Sequence, residues 1–275
     1  MRKTILIILI TSFFYACNES SKEKVLVFKP LETTQFNFSA DSTFVPPNGE
    51  AWEARRKSHD SCMGEAFAAN AIFLKTTDTF RLGCIMNMQT LKVVKNLNLF
   101  SLPPNMFGIV ANFMTKPCYE KMHINASPST FMNHKITLAV DSVDARINEE
   151  LTNIFNNTPA LDMETGSWVN FELMDGFGKM LDTTTNTELI EYKKILTDSS
   201  NMVLIRSSSI TDISFYITPD KISGELLKVL AQKPVASINN SKFKAKLYLI
   251  NNNSLKVVMN GNFQVMGQFM QAKME

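Results

Sequence analysis

The sequence lacks an excess of either charge, and it has no long apolar run beyond its first residues. Its 275 residues include 28 Lys and Arg against 26 Asp and Glu. Arg2 and Lys3 account for the difference, so the chain from residue 17 onward carries 26 charges of each sign. A balanced chain presents no basic surface for nucleic acid and no charged, disordered tail. After residue 16, no stretch approaches the roughly 18 apolar residues of a membrane-spanning helix.

The sequence also lacks the common catalytic and metal-binding motifs. It has no GxSxG, no P-loop, no HExxH and no EF-hand loop. Only three histidines occur, and the His and Cys residues of segments 59–62 and 118–123 do not have the spacing of a zinc site. We therefore predict a protein that is not an enzyme and that has no catalytic residues, no metal and no cofactor. An envelope hydrolase that uses His59, Asp60 or His123 is the minor alternative.

The first sixteen residues predict a signal peptide. Arg2 and Lys3 precede an apolar stretch of about a dozen residues, which is too short to span a membrane. The sequence Phe14-Tyr15-Ala16-Cys17 follows, and it resembles a bacterial lipobox with Phe where Leu is usual. The resemblance implies cleavage before Cys17 and attachment of acyl chains such as palmitate to that residue. Two or three acyl chains give stable membrane anchoring.

The residues after Cys17 are polar and are typical of a short tether. An acidic residue soon after the lipidated Cys resembles the surface-export signals of Bacteroidota lipoproteins. We therefore predict a signal peptide over residues 1–16, a lipidated tether over 17–24 and a single α+β globular domain over 25–275. A subdivision near residues 125–135 is the alternative. The predicted location is the cell envelope, anchored by lipid to the outer membrane on its periplasmic or surface face.

Three cysteines remain if Cys17 is lipidated, namely Cys62, Cys84 and Cys118. An odd number permits at most one internal disulfide, and an exported protein is free to form it. The sequence does not choose among the three pairings, and three buried thiols are the equal alternative.

Apolar residues alternate with polar ones in many short segments, which predicts antiparallel strands. These segments are 24–30, 33–45, 79–94, 135–140, 167–174, 202–206, 210–218, 243–250 and 255–266, and the last two predict a hairpin that turns at residues 251–253. Helical periodicity predicts helices over 50–57, 61–75, 142–157 and 184–198, and another that Thr218 and Pro219 open. Strands outnumber helices, so we predict an α+β fold, mainly antiparallel sheet with several flanking amphipathic helices.

Residues 143–155 fit two periods. At helical spacing their apolar residues form one stripe, and at a period of two they also share one face of a strand. The residues of that strand face are Val143, Ala145, Ile147, Leu151 and Phe155. A helix that can be rewritten as an alternating strand suits a membrane-inserting β-hairpin. A plain amphipathic helix explains the pattern as well. Residues four apart on one helix face are all even-numbered or all odd-numbered, so they would also share one face of a strand.

Several stretches resemble the thiol-activated, or cholesterol-dependent, cytolysins. Residues 64–70, Gly-Glu-Ala-Phe-Ala-Ala-Asn, and residues 88–93 resemble a Gly-Ala-Leu-x-x-Ala-Asn stretch and the strand that follows it in that family. Residues 207–217 resemble a strand of the family's bent central sheet, and 239–245 resemble its Asn-Ser-Ser-Phe-x-Ala strand start. The Trp-rich membrane-recognition loop has no counterpart, so the resemblance does not imply sterol recognition. It implies a truncated or accessory pore-forming protein.

Two functions therefore stand beside each other. The first is a lipid-anchored envelope protein without a catalytic site, which binds a protein partner or a ligand at the bacterial surface or in the periplasm. The alternative is a truncated or accessory pore-forming protein of the cytolysin type. Both place the chain at a membrane through its anchor and neither involves nucleic acid. Only the pore-forming protein would need to be an oligomer.

Overall fold

A computed structural model describes residues 24–31, 44–45, 49–64, 72–74, 80–97, 99, 102, 104–119, 121–239 and 243–275. The predicted signal peptide, the lipidation site at Cys17 and most of the predicted tether lie outside the described residues. So do residues 65–70 of the first cytolysin-like stretch and most of the predicted strand at 33–45.

Thirteen strands within the described residues form one antiparallel sheet. They are β1 Leu26–Pro30, β2 Phe44–Val45, β3 Ile72–Leu74, β4 Ile85–Asn87, β5 Val93–Lys95, β6 Ala111–Pro117, β7 Met122–Ile124, β8 Leu138–Ala139, β9 Leu161–Leu173, β10 Asn201–Ile217, β11 Val235–Ile238, β12 Lys244–Asn251 and β13 Ser254–Met274. The described helices are α1 Glu50–Met63, α2 Pro104–Val110, α3 Pro128–Met132, α4 Ala145–Asn157, α5 Asp175–Thr183, α6 Thr187–Leu196 and α7 Gly224–Gln232. The α+β prediction is confirmed.

The centre of the sheet consists of the three longest strands, β9, β10 and β13. The main strand order is β5–β4–β10–β13–β12–β11–β8, and β9 pairs with β10 beside β4. The register of β10 shifts at three places against β13, and Asp212 at one of them has a positive φ of 50°. Such bulges bend a strand and increase its twist, so the long strands are curved rather than flat.

Two large apolar clusters cover opposite ends of these strands. The first lies where β9 begins and β10 ends, and it takes residues from α1, α3, α4 and α7. The second lies where β9 ends and β10 begins, and it takes residues from α5 and α6 together with Val110 at the end of α2. The helix α4 and the pair α5–α6 therefore lie at opposite ends of the sheet.

Several predicted boundaries are wrong. α1 is one helix where two were predicted, and residues 72–74 are strand rather than helix. α4 begins after Asp144, whose carboxylate accepts the Arg146 N–H, instead of after Asp141 or Ser142. α7 begins after Ser223, whose hydroxyl accepts the Leu226 N–H, instead of at Thr218. Polar residues that can cap a helix occur in series at these sites, and tertiary packing selects which of them does so.

The segment at 79–94 differs from the predicted alternating strand. It contains the short strands β4 and β5, which pair with each other, and a turn at 81–84 in which Gly83 has a positive φ. Cys84, Ile85 and Met86 are all fully buried, so successive side chains on both faces are covered. A strand buried on both faces does not alternate in exposure.

The segments at 202–206 and 210–218 belong to one strand, β10, rather than to two. Ser207, Ser208 and Ser209 suggested a break because short polar residues are typical of turns. In the structure all three are buried in the middle of the sheet. The predicted hairpin of 243–250 with 255–266 is confirmed as β12 and β13, and β13 continues to Met274.

Candidate functional site

The five residues predicted to contact a membrane lie on α4 or just before it, and they differ in exposure. Leu151 and Phe155 are fully buried, Val143 and Ile147 are half-buried, and Ala145 is exposed. The ring of Phe155 packs edge-on against Phe215 of β10, with centroids 5.6 Å apart. In the folded chain the helical period therefore determines which of these residues face the core. Membrane contact by the five residues stays a prediction.

α4 is held to the sheet by a ladder of polar side chains. Three of its residues each bond both the N–H and the C=O of one residue in the segment 136–140, with distances of 2.8 to 3.3 Å: Asn148 with Val140, Thr152 with Leu138, and Asn156 with Ile136. β8 lies in this segment and is the last strand in the main order of the described sheet. The helix thus supplies the hydrogen bonds that a further strand would supply, and it covers an edge that could otherwise pair with another chain.

The connections of α4 bear on its predicted insertion. It joins β8 to β9, and in the sheet these strands are separated by β11, β12, β13 and β10. A β-hairpin that extends a sheet must continue two neighbouring strands. The connection 140–160 that contains α4 also has only 21 residues, which two spanning strands of about 9–11 residues would use almost completely.

The α5–α6 pair meets both of these requirements. It connects β9 to β10, which pair along residues 162–172 and 206–216. The connecting residues 174–200 provide about ten residues on each side of a central turn, as a spanning hairpin needs. Residues 183–187, Thr-Thr-Thr-Asn-Thr, run from the last residue of α5 to the first of α6, and residues 184–186 between the helices provide the turn.

The charges of this segment alternate in two of its stretches only, residues 174–180 and 190–196. The even-numbered positions 174–180 and 190–196 include a single charged residue, Lys194. The odd-numbered positions of the same two stretches include four, namely Asp175, Lys179, Glu191 and Lys193. Membrane-spanning strands have one apolar and one polar face with this period of two, and in the rest of residues 174–200 the even-numbered Asp182, Glu188 and Asp198 interrupt it. The sequence analysis predicted a helix over 184–198 and did not identify this segment as one that could insert.

In the folded chain α5 and α6 are packed helices. Phe177, Leu181, Tyr192 and Leu196 are buried in the second cluster. α5 also lies directly against α2, because a methyl group on Gly176 would come within 2.1 Å of the Ile109 carbonyl oxygen. Only glycine permits this approach.

Polar contacts tie the two helices to each other and to the sheet. The Asp182 carboxylate accepts the Leu26 N–H at 3.0 Å and pairs with Lys193 at 2.5 Å. Burial by itself would raise the pKa of Asp182, but the Leu26 N–H and the Lys193 ammonium outweigh it and lower that pKa. The Tyr192 hydroxyl donates to the Gly83 carbonyl at 2.5 Å. Because burial raises the pKa of Tyr192 well above its ordinary value, this hydroxyl stays a donor.

α1 is held against the sheet by buried polar groups. His59 is fully buried, and its Nε2 lies 3.3 Å from the Asn170 amide nitrogen, while its Nδ1 lies 3.1 Å from Asp60. The Asn170 oxygen accepts a hydrogen bond from the buried Ser208 hydroxyl. Arg55 is also fully buried, where it donates to backbone carbonyls, and burial lowers its pKa to about 9. The Ser208 hydroxyl therefore bonds to an amide and not to a histidine base.

The cysteines and the remaining candidate catalytic residues do not form one site. Cys62 of α1 forms a disulfide with Cys118 just after β6, and Cys84 is a buried free thiol whose pKa burial raises to about 12. Asp60 and His123 line one surface cleft of about 660 Å³, whereas His59 is buried. Within the described ranges, no three side chains of His, Cys, Asp or Glu come together closely enough to hold a metal ion.

Comparisons with known proteins find similarity to solved structures. A bacterial gasdermin from Bradyrhizobium tropiciagri is similar to this chain with a TM-score of 0.37 and 11% sequence identity, over 85% of this chain and 88% of that one. A similarity at this level assigns neither a family nor a function. No family model matches the chain, and no curated protein does. In the part of the chain that the structure describes, no helix is both long and apolar enough to cross a bilayer.

Proposed function

We propose that this protein perforates a membrane, and that α5 and α6 unfold to extend β9 and β10 as an inserted hairpin. The observation that carries the proposal is topological. The α5–α6 segment joins two neighbouring central strands, and it has the length of a spanning hairpin. This assigns the inserting role to residues 174–200 and leaves residues 143–155 as the second candidate segment.

Release of α5 and α6 from the folded chain costs free energy, which contact with a membrane must offset. Fully burying one large apolar side chain contributes about 1.5–3 kcal/mol, so releasing Phe177, Leu181, Tyr192 and Leu196 costs about 10 kcal/mol in total. Free chains in water therefore keep the helices packed. At a membrane, burial in lipid of the apolar residues on one face of the hairpin, among them Tyr192 and Leu196, offsets part of this cost, and the new strand pairs satisfy the backbone.

The proposed active form is an oligomer. A single hairpin in lipid has two unpaired strand edges, and every backbone group in the hydrocarbon region must be paired. A closed ring of several copies satisfies those edges. We also propose that Cys17 is lipidated and holds the chain at the outer membrane of the cell envelope, and that no catalytic step is involved. A lipid-anchored protein that binds a partner is compatible with this proposal, because the anchor and the hairpin use different residues.

A crosslink between the two helices tests the proposal. Asp182→Cys combined with Lys193→Cys places two thiols where an ion pair now joins α5 to α6. A short bismaleimide would hold these positions together. In a hairpin that turns at residues 183–187, residue 182 would face residue 188 rather than 193. We expect the crosslinked protein to release no dye from lipid vesicles, whereas the same variant without crosslinker remains active.

The matched control joins strands that stay paired. Lys29→Cys with Glu275→Cys links β1 to the end of β13 at another ion pair, and crosslinking there should leave dye release unchanged. Continued leakage from the crosslinked α5–α6 variant would show that these helices do not insert. If the unmodified protein releases no dye from vesicles of bacterial lipid, phosphatidylcholine or phosphatidylcholine with cholesterol, the perforating function itself is wrong.

A further inference from the structure

A cavity of about 470 Å³ lies on the face of the sheet opposite α1. Its walls include Leu82 and the buried Leu97 and Leu99, together with Phe107 of α2 and Phe171 of β9. Small-molecule sites are typically cavities of roughly 300–1,000 Å³ with mainly apolar walls and a few polar groups. The size of this cavity lies in that range, and six of the eleven described residues that line it are apolar.

The polar groups of the cavity come from the middle of the sheet. Ser207 and Ser209 are two residues apart on β10, so they share one face, while Ser208 between them faces the buried polar groups beneath α1. Ser209 lies opposite Gln264 of β13. The Gln264 amide bonds both the N–H and the C=O of Phe80, and so it holds the segment 80–82 across the cavity.

The polarity of the cavity changes from inside to outside. Leu97, Leu99 and Ser207 are buried in its interior, whereas Arg81 and Asn262 are exposed at its mouth. Among the described lining residues Arg81 is the one with a formal charge, and none is acidic. An interior that has apolar walls beside a few neutral polar groups, below a cationic mouth, can take a molecule with an apolar body and an anionic end.

We propose that this cavity binds a single-chain anionic amphiphile, namely a fatty acid. Its chain lies against Leu97, Leu99 and Phe171, and its carboxylate lies at the mouth beside Arg81 and Asn262. This assignment does not depend on the perforating function. It rests on the lining residues and on the position of the charge.

The site also has contacts with α5 and α6. Gly83, which follows the segment 80–82, accepts the hydrogen bond from Tyr192 of α6. Leu97 and Leu99 belong to the same apolar cluster as Phe177 and Leu196. A bound fatty acid therefore fixes the wall that these helices pack against, and it opposes their release. This second step rests on the proposed function, and the binding step does not.

Calorimetric titration with laurate, below its micelle concentration, tests the binding step. We expect one laurate per chain. Arg81→Gln should weaken laurate binding about tenfold, because it removes a contact between charged groups, and should leave binding of the uncharged dodecanol unchanged. Arg146→Gln, which changes a highly exposed arginine on α4, is the matched control. Leu82→Trp fills the cavity from its partly exposed wall and should abolish binding of both ligands.

Each outcome decides the assignment. The absence of laurate binding at about 1 mM, or equal binding by the Arg81→Gln and Arg146→Gln variants, would overturn it. Because Arg81 is exposed, its substitution should not prevent folding, and circular dichroism checks this for both variants. Laurate that binds without slowing vesicle leakage would leave the site in place and refute only its coupling to α5 and α6. Leakage without laurate binding would refute the site and leave the perforating function intact.

Discussion

The polar ladder of α4 predicts a stability loss that can be worked out from the structure. Thr152→Val keeps the size and the branching of the side chain and removes one hydroxyl. That hydroxyl accepts the Leu138 N–H and donates to the Leu138 C=O, both at 3.1 Å. A neutral hydrogen bond contributes about 0.5–1.5 kcal/mol net, and a buried group left unpaired costs about 1–3 kcal/mol. We therefore expect unfolding to become easier by about 2 kcal/mol.

Urea denaturation followed by circular dichroism measures this change. A loss of about 2 kcal/mol lowers the folding equilibrium constant about 30-fold and, in a chain of this size, the melting temperature by about 4–8 °C. The same variant should also associate more readily in sedimentation experiments, because the edge of β8 becomes less well covered.

Thr187→Val provides the matched control. Thr187 is exposed at the first position of α6, and exposed substitutions usually change stability by less than about 0.5 kcal/mol. If Thr152→Val were as stable as Thr187→Val, the ladder would not hold α4 to the sheet. If the variant loses stability but does not associate more, the role of the hydrogen bonds is supported and the protection of the β8 edge is refuted.

Three further predictions concern other parts of the structure. Gly176→Ala should destabilise the protein by about 1–3 kcal/mol and speed vesicle leakage, because its methyl group would collide with Ile109; Gly224→Ala, where a methyl group meets nothing within 4 Å, should be neutral or stabilising in the same denaturation assay. The pKa of Asp182 is lower in the folded chain, so its stabilisation is present above the ordinary carboxyl pKa of about 4 and is lost as the pH falls through the lower folded value. The stability difference between the unmodified chain and Asp182→Asn should shrink over that range, and a constant difference would contradict this assignment. Reduction of the Cys62 disulfide, which closes a loop with a sequence separation of 56 residues, should cost about 2–4 kcal/mol, and an unchanged melting temperature in reductant would refute that role.

The two segments that could enter a membrane differ in how they are released. Release of α4 breaks the polar ladder on β8, and release of α5–α6 breaks apolar packing in the second cluster. Release of either segment would free an amphipathic stretch of chain. Only the α5–α6 segment connects two neighbouring strands, which its own residues can extend. Crosslinking each segment separately distinguishes them, because the segment that inserts is the one whose restraint stops leakage.

The local pattern of the sequence was sufficient for the fold class. Alternation in 243–250 and 255–266 predicted the hairpin of β12 and β13, because each of these strands has a more exposed and a more buried face. The stripe in 143–155 predicted α4 for the corresponding reason. Strands buried on both faces carry no such signal, which is why the pattern at 79–94 was misread.

The three serines of β10 show that a local pattern does not reveal which residues will surround a segment in the folded chain. In isolation Ser207, Ser208 and Ser209 are turn residues. In the sheet they separate the polar groups beneath α1 from the cavity on the other face, and both surroundings are built by residues more than 30 positions away along the chain. For the same reason the sequence did not show that Cys62 pairs with Cys118.

The sequence by itself determined the antiparallel α+β fold, the amphipathic face of α4 and the balanced charge, because these depend on spacing and composition. The tertiary structure decided which strands are neighbours. That one fact makes α5–α6, rather than α4, the segment able to extend the central sheet, since β9 and β10 are joined in register by hydrogen bonds. Strand pairing is set by contacts between residues far apart in the chain, and no local pattern encodes them.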